Sequence, residues 1–235
     1  MRQKYGDPQK YVVDPEFGFR PILEKGIYNR WGTLANSYSL DKKPSGVTRL
    51  LFIGDSVTAT GHIVAGLKKV YGEDKFEYWN AGVRGFNTIQ EVKFYKKYNQ
   101  PIKPDHVILT FHLNDFETTP VAFFNSERRL TVFAPELPSK TISPFWFQKS
   151  MLYRLCLGIV IKAGLPKREH IDREVAASLA ELRDILARDR IDFTVLINPT
   201  CKPSNEWNDW DKKAKKKERP LLRVLGIKNS IFLQH

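Results

Sequence analysis

Residues 48–61 read TRLLFIGDSVTATG, and this stretch decides the fold. Thr48 to Ile53 is a short, mostly apolar run, which is what a strand covered on both faces requires. Gly54, Asp55 and Ser56 end it, and a helical stretch runs from about Gly61 to Val70. The same order then recurs. Phe76 to Trp79 reads as a second strand, followed by a turn at Gly82 and Gly85 and a helix from about Thr88 to Tyr98. His106 to Phe111 (HVILTF) reads as a third strand, helices follow around Ser150–Ile161 and Arg168–Arg188, and Ile191 to Ile197 reads as a fourth strand. A basic helix is expected from about Asp209 to Arg219, ended by Pro220. Strands alternating with helices imply parallel βαβ units with right-handed crossovers. The expected fold class is α/β, a three-layer α/β/α sandwich around a mainly parallel, flavodoxin-like sheet.

Upstream of this pattern the texture differs. Pro8, Pro15, Pro21 and Pro44, with Gly18, Gly26 and Gly32, interrupt residues 1–46 too often for long helices. Tyr11, Phe17, Phe19, Ile22, Tyr28 and Trp31 supply apolar anchors. Residues 1–46 are therefore expected to form an extended strap lying on a domain of residues 47–235.

Composition narrows the class. With 42% hydrophobic and 27% charged residues, the chain resembles an ordinary globular protein and excludes global disorder or a fibrous repeat. The apolar run Leu155–Ile161, bracketed by Arg154 and Lys162, falls far short of the ~20 residues that span a bilayer. Met1 to Tyr11 lacks the apolar core of a signal peptide. As written, the chain is expected in the cytoplasm, or at the cell envelope if its natural form carries an N-terminal anchor. Cys156 and Cys201 are too few for a disulfide framework or a four-thiolate zinc site. The histidines are scattered without carboxylates at ligand spacing, so neither a metal nor a cofactor is expected. The net charge of +12 favours anionic partners and is concentrated in DKKAKKKER, residues 211–219. Lys212–Arg219 reads either as a solvated helix face or as a patch for an anionic polymer, and no nucleic-acid recognition module accompanies it.

In open parallel sheets, sites gather beyond the carboxyl ends of the strands. Three segments lie there. In Gly54-Asp55-Ser56, a serine between strand and helix can hold its hydroxyl exposed and fixed, as a nucleophile requires; alternatively Ser56 or Thr58 is simply a helix N-cap. In Asn80–Gly85, two glycines three apart allow a tight loop and an N–H for an oxyanion, or merely an ordinary turn. In Leu113-Asn114-Asp115, the Asn114 amide can donate to an oxyanion, or satisfy local backbone groups. Ser56, Gly85 and Asn114 follow separate strands at intervals of 29 residues, about one βα unit each, so all three should reach one sheet edge. A phosphate-binding loop is the competing reading of the first segment, and Asp55 argues against it by placing negative charge where the anion would sit.

The chain resembles the SGNH, or GDSL-type, superfamily of serine esterases, lipases and carbohydrate acyl esterases. The matching stretches are LLFIGDSVTATG, NAGVRGFNT and TFHLNDF, in that order. DPEFGFRP, YNRWGT and SMLYRL are similar to bacterial members acting on acylated glycans or envelope polymers. The resemblance implies Ser56 as nucleophile, with Gly85 N–H and the Asn114 side chain as oxyanion donors. Asp55 and Asn80 are implied as supporting loop residues. The implied substrate is an O-acylated carbohydrate or lipid.

Two departures stand out. His112 occupies the position of a usual glycine in the third stretch, where it reads as a packed strand-end histidine. The family's C-terminal D-x-x-H, which supplies the general base, is not found: Phe232 lies three residues before His235, and no other histidine completes the motif. GIKNSIFLQH, residues 226–235, is similar to the strand that precedes that motif, so the domain is expected to be incomplete at its C-terminus. The alternative function is a catalytically impaired relative that binds an anionic glycan or an envelope partner.

Overall fold

The computed structural model describes residues 3–6, 9–41, 43–112, 119–125, 128–133, 142–163, 169–197 and 230–232. Its centre is a parallel sheet built from β4 (Thr48–Gly54), β5 (Phe76–Asn80), β6 (His106–Phe111), β9 (Asp192–Ile197) and β10 (Ser230–Phe232), in the order β10-β9-β6-β4-β5. Register aligns the strand ends: Phe52 pairs with Asn80, Gly54 with Thr110, and Phe111 with Ile197.

This order places the helices. Right-handed crossovers put the helix of a β4-to-β5 step and that of a β5-to-β6 step on opposite faces, because the two steps run in opposite directions across the sheet. The first step carries α2 (His62–Tyr71), and the second carries α3 (Thr88–Phe94). The β6-to-β9 step carries α6 (Glu169–Arg188) and runs the same way as β5-to-β6, so α6 joins α3 on one face, and the two helices pack together. The layers are those of an α/β/α sandwich. The principal core lies between the sheet and α3/α6. Leu51, Ile53, Val107, Leu109 and Val195 meet Ile89, Val92, Val175, Leu179, Leu182 and Leu186 there. The spacing Val175, Leu179, Leu182, Leu186 is the apolar stripe of a helix docked along one side.

The expected strands recur within a residue at either end. The helices expected at Gly61–Val70, Ser150–Ile161 and Arg168–Arg188 also recur within a residue at either end, and the differences lie at two places. The stretch after the first strand is two elements, α1 (Ser56–Ala59) and α2, divided at Gly61, whose φ of +77° suits glycine. The helix expected to reach Tyr98 is α-helical only to Phe94, then widens into a π turn at Tyr95–Asn99 and tightens into a 3-10 turn containing Pro101. The expected basic helix at Asp209–Arg219, with the whole Lys212–Arg219 run, lies outside the described residues.

The N-terminal residues contain strands β1 (Gln3–Gly6), β2 (Tyr11–Asp14) and β3 (Gly18–Pro21), with β2 and β3 forming a hairpin. β1 pairs antiparallel with β8 (Leu130–Phe133), which pairs with β7 (Val121–Phe124). A second core of Phe17, Phe19, Tyr28, Val83, Phe86 and Phe94 binds this N-terminal part to the loop after β5. Edge-to-face contacts of Phe86 with Phe19 and Phe94, both at 5.5 Å between ring centres, set its geometry. At the amino ends of the strands, buried Arg49 donates from Nε to Glu77 at 2.6 Å and from its terminal nitrogens to the carbonyls of Ile102 and Ser39. Two further helices, α4 (Pro144–Lys149) and α5 (Met151–Lys162), follow β8. Among the described residues, no helix is long and apolar enough to cross a membrane.

Candidate active site

The strand order reverses direction at β4 and β6, the place where an open parallel sheet leaves a crevice beyond its carboxyl ends. Asp55 and Ser56 follow β4 at this edge, and His112 follows β6. Ala81 to Phe86 follow β5.

Asp55, not Ser56 or Thr58, caps α1. Its Oδ1 accepts from the Val57 N–H at 2.9 Å, and the residue is buried. Ser56 occupies the first helical position, half-buried, so its hydroxyl is not used in capping. Among the described residues the only hydrogen bond of Ser56 Oγ is its donation to Asp55 Oδ2 at 3.4 Å, too long for a strong bond.

The loop after β5 is laced to this turn at several points. Val83 N–H donates to Gly54 O at 2.9 Å, and Ala81 N–H donates to Phe52 O at 2.7 Å. The buried Asn80 side chain donates to Thr58 O at 2.8 Å and accepts from Gly82 N–H at 2.9 Å, joining its own loop to α1. Tyr28 Oη donates to Gly82 O at 2.8 Å, and burial pushes its phenol well above the usual range.

The two glycines have different roles. Gly82 is needed for closeness: a Cβ there would fall 2.4 Å from Ala59 N and 2.7 Å from Thr58 C. Gly85 is needed for conformation, with φ +81°, and it is exposed. The N–H groups of Ser56 and Gly85 donate to no described residue. Two backbone donors without an acceptor among the described residues, and a hydroxyl held at a helix start, thus lie on turns tied together by four hydrogen bonds between residues 52–58 and 80–83 and within the second turn.

Asn114 lies outside the described residues, as do Leu113 and Asp115. His106 is at the opposite end of β6, where its Nε2 meets Thr194 Oγ1 at 2.8 Å, so it is remote from this edge. No group of three or more His, Cys, Asp or Glu among the described residues could hold a metal. Tyr28, an apolar anchor by its sequence setting, also uses its hydroxyl at this turn. Nothing local in the chain signals that a residue 54 positions before Gly82 holds its carbonyl.

No protein-family model matches the chain, and no curated protein matches it. Among solved structures it is similar to an acetylxylan esterase from Geobacillus stearothermophilus, at 17% identity and a TM-score of 0.48, over 82% of this chain and 78% of that one. It is also similar to a lipase/acylhydrolase from Enterococcus faecalis, at 14% identity and 0.46, over 79% and 75%. A third is LAE5, an α/β hydrolase enzyme from the metagenome of Lake Arreo, Spain, at 16% and 0.47, over 80% and 76%. The fold itself rests on the chain's own strand order and register, which make it a doubly wound parallel α/β protein with its crevice at the ends of β4 and β6.

Proposed function

We propose that the chain is an SGNH-type ester hydrolase acting on an O-acylated carbohydrate or lipid, with Ser56 as nucleophile. The observation that carries this reading is the pair of N–H groups, Ser56 and Gly85, that donate to no described residue, on two turns laced together by hydrogen bonds, with Ser56 half-buried at the start of a helix. In the reaction, Ser56 Oγ bonds to the ester carbonyl carbon and gives up its proton to solvent water, which returns a proton to the departing alkoxide, while the carbonyl π pair moves onto oxygen. The Ser56 and Gly85 N–H groups, with the Asn114 side chain, hold that oxyanion; donors of this kind stabilise the transition state more than the ground state. Collapse expels the alcohol, and water then releases the acyl group from Ser56. Asp55 and Asn80 act by holding the turns.

The proton is the weak point. The 235 residues contain no D-x-x-H. Without a side-chain base, an oxyanion hole and substrate binding retain about 10³–10⁴-fold acceleration over water. The second reading, a catalytically impaired relative that binds an anionic glycan or envelope partner, rests on the basic run Lys212–Arg219 as its contact. Turnover of p-nitrophenyl acetate by the wild type and by Ser56→Ala separates the two. The hydrolase reading expects wild-type rates above background and an acetyl adduct on Ser56 by mass spectrometry. Equal background rates and no adduct end it for this chain.

A further inference from the structure

Among the described residues, the largest concentration of exposed apolar side chains is on α4 and α5. Phe145, Trp146, Met151, Leu152, Leu155 and Ile159 are each more than half exposed, with Met151 reaching 80%. The inner side of this pair is satisfied: Phe147 and Leu157 close a small core with Val121 and Ile142. At 100° per residue, Met151, Leu152, Leu155 and Ile159 fall on one side of α5, with Tyr153 and Leu157 on the other. A helix apolar on its outward side, where the other exposed hydrophobics among the described residues are scattered, marks a contact surface.

Charge identifies the partner. Residues 142–163 contain Lys149, Arg154 and Lys162 and no Asp or Glu, within a chain of net charge +12. Lys149 and Arg154 are exposed. A second copy docked through this face would bring like charges together with no acidic residue of the pair to meet them. An anionic bilayer complements both the apolar side chains and the basic ones, and Trp146 is suited to the headgroup level. At 12 residues α5 is about 18 Å long, against a hydrocarbon core of about 30 Å, so it lies on a membrane rather than crossing it.

We propose that the α4–α5 face is a docking surface for anionic lipid bilayers. This goes beyond the ester-hydrolase reading and does not depend on it. The test is co-sedimentation of the full chain with vesicles of phosphatidylcholine alone and of phosphatidylcholine with phosphatidylglycerol. The expected result is binding to the anionic vesicles that weakens with salt, and quenching of tryptophan emission by brominated lipid that falls in Trp146→Phe. The double variant Leu152→Glu/Leu155→Glu should lose binding with unchanged circular dichroism and thermal midpoint, since both side chains are exposed. Should that variant misfold, Lys149→Glu/Arg154→Glu serves instead, with an expected drop of about tenfold or more in partition to anionic vesicles. Absence of binding, equal binding to neutral vesicles, or unchanged binding in folded variants overturns the proposal. So does a wild-type dimer in sedimentation velocity that Leu152→Glu/Leu155→Glu dissolves.

Discussion

Replacing Gly82 by alanine tests the packing that ties the second turn to α1. The added methyl carbon would lie 2.4 Å from Ala59 N and 2.7 Å from Thr58 C and Cβ. Ordinary contacts of carbon atoms are about 3.5–4.0 Å, so the two backbones must part by about 1 Å. Two of these atoms are backbone of the short helix that begins with Ser56 and the third, Thr58 Cβ, is fixed directly to it, so no flexible side chain can absorb the displacement. Gly82 has no positive φ, so the cost is steric and not conformational. Overpacking of this kind costs about 1–3 kcal/mol. For a protein of this size each kcal/mol lowers the thermal midpoint by about 2–4 °C, giving an expected fall of about 2–12 °C. Because the strain falls on the turn carrying the proposed nucleophile, esterase turnover should fall further, by about 10²-fold for a 1 Å misplacement. Gly66→Ala is the matched control: it lies inside α2, its added Cβ would meet nothing within 4 Å, and it should stabilise by about 0.5–1 kcal/mol. Differential scanning calorimetry and p-nitrophenyl acetate turnover measure both variants. A Gly82→Ala protein with an unshifted midpoint would refute the reasoning, since it would mean that the two turns are not held at this distance.

Two further outcomes follow from groups away from the site. Glu77→Leu leaves the Arg49 guanidinium buried without its carboxylate and takes the acceptor from Trp79 Nε1, which donates to Glu77 at 3.0 Å. Breaking such a pair costs about 3–5 kcal/mol, and Arg49→Met/Glu77→Leu should recover much of the loss in urea titrations. Burial holds the His106 imidazole below its usual 6.5, opposed in part by Asp192. Above pH 6.5 the ring is neutral in both folded and unfolded chains; below it the unfolded chain takes the proton first, so stability falls as pH drops through the folded-state value. His106→Gln should flatten that loss in unfolding curves taken between neutral and mildly acid pH, and an unchanged slope would remove His106 as its source.

The four long strands were legible along the chain because a doubly covered strand must be apolar on successive residues. HVILTF and the run from Thr48 have few other uses in a protein of this composition. Gly54–Ser56 and Asn80–Gly85 were legible for a related reason: small and polar residues directly after such a run have to sit at a sheet end. Less could be read where the partner is distant. β7 and β8 are four-residue strands, and β1, the third member of their sheet, lies more than a hundred residues earlier, so no local pattern announces the pairing. The division of labour between Gly82 and Gly85 was equally invisible. Both are glycines in one turn, and only the approach of α1 shows that one is needed for space and the other for its φ. The choice of Asp55 over Ser56 as the cap of α1 was also decided in three dimensions. A cap is fixed by which side chain reaches the exposed N–H groups, and adjacent Asp, Ser and Thr offer the same chemistry until the backbone turns.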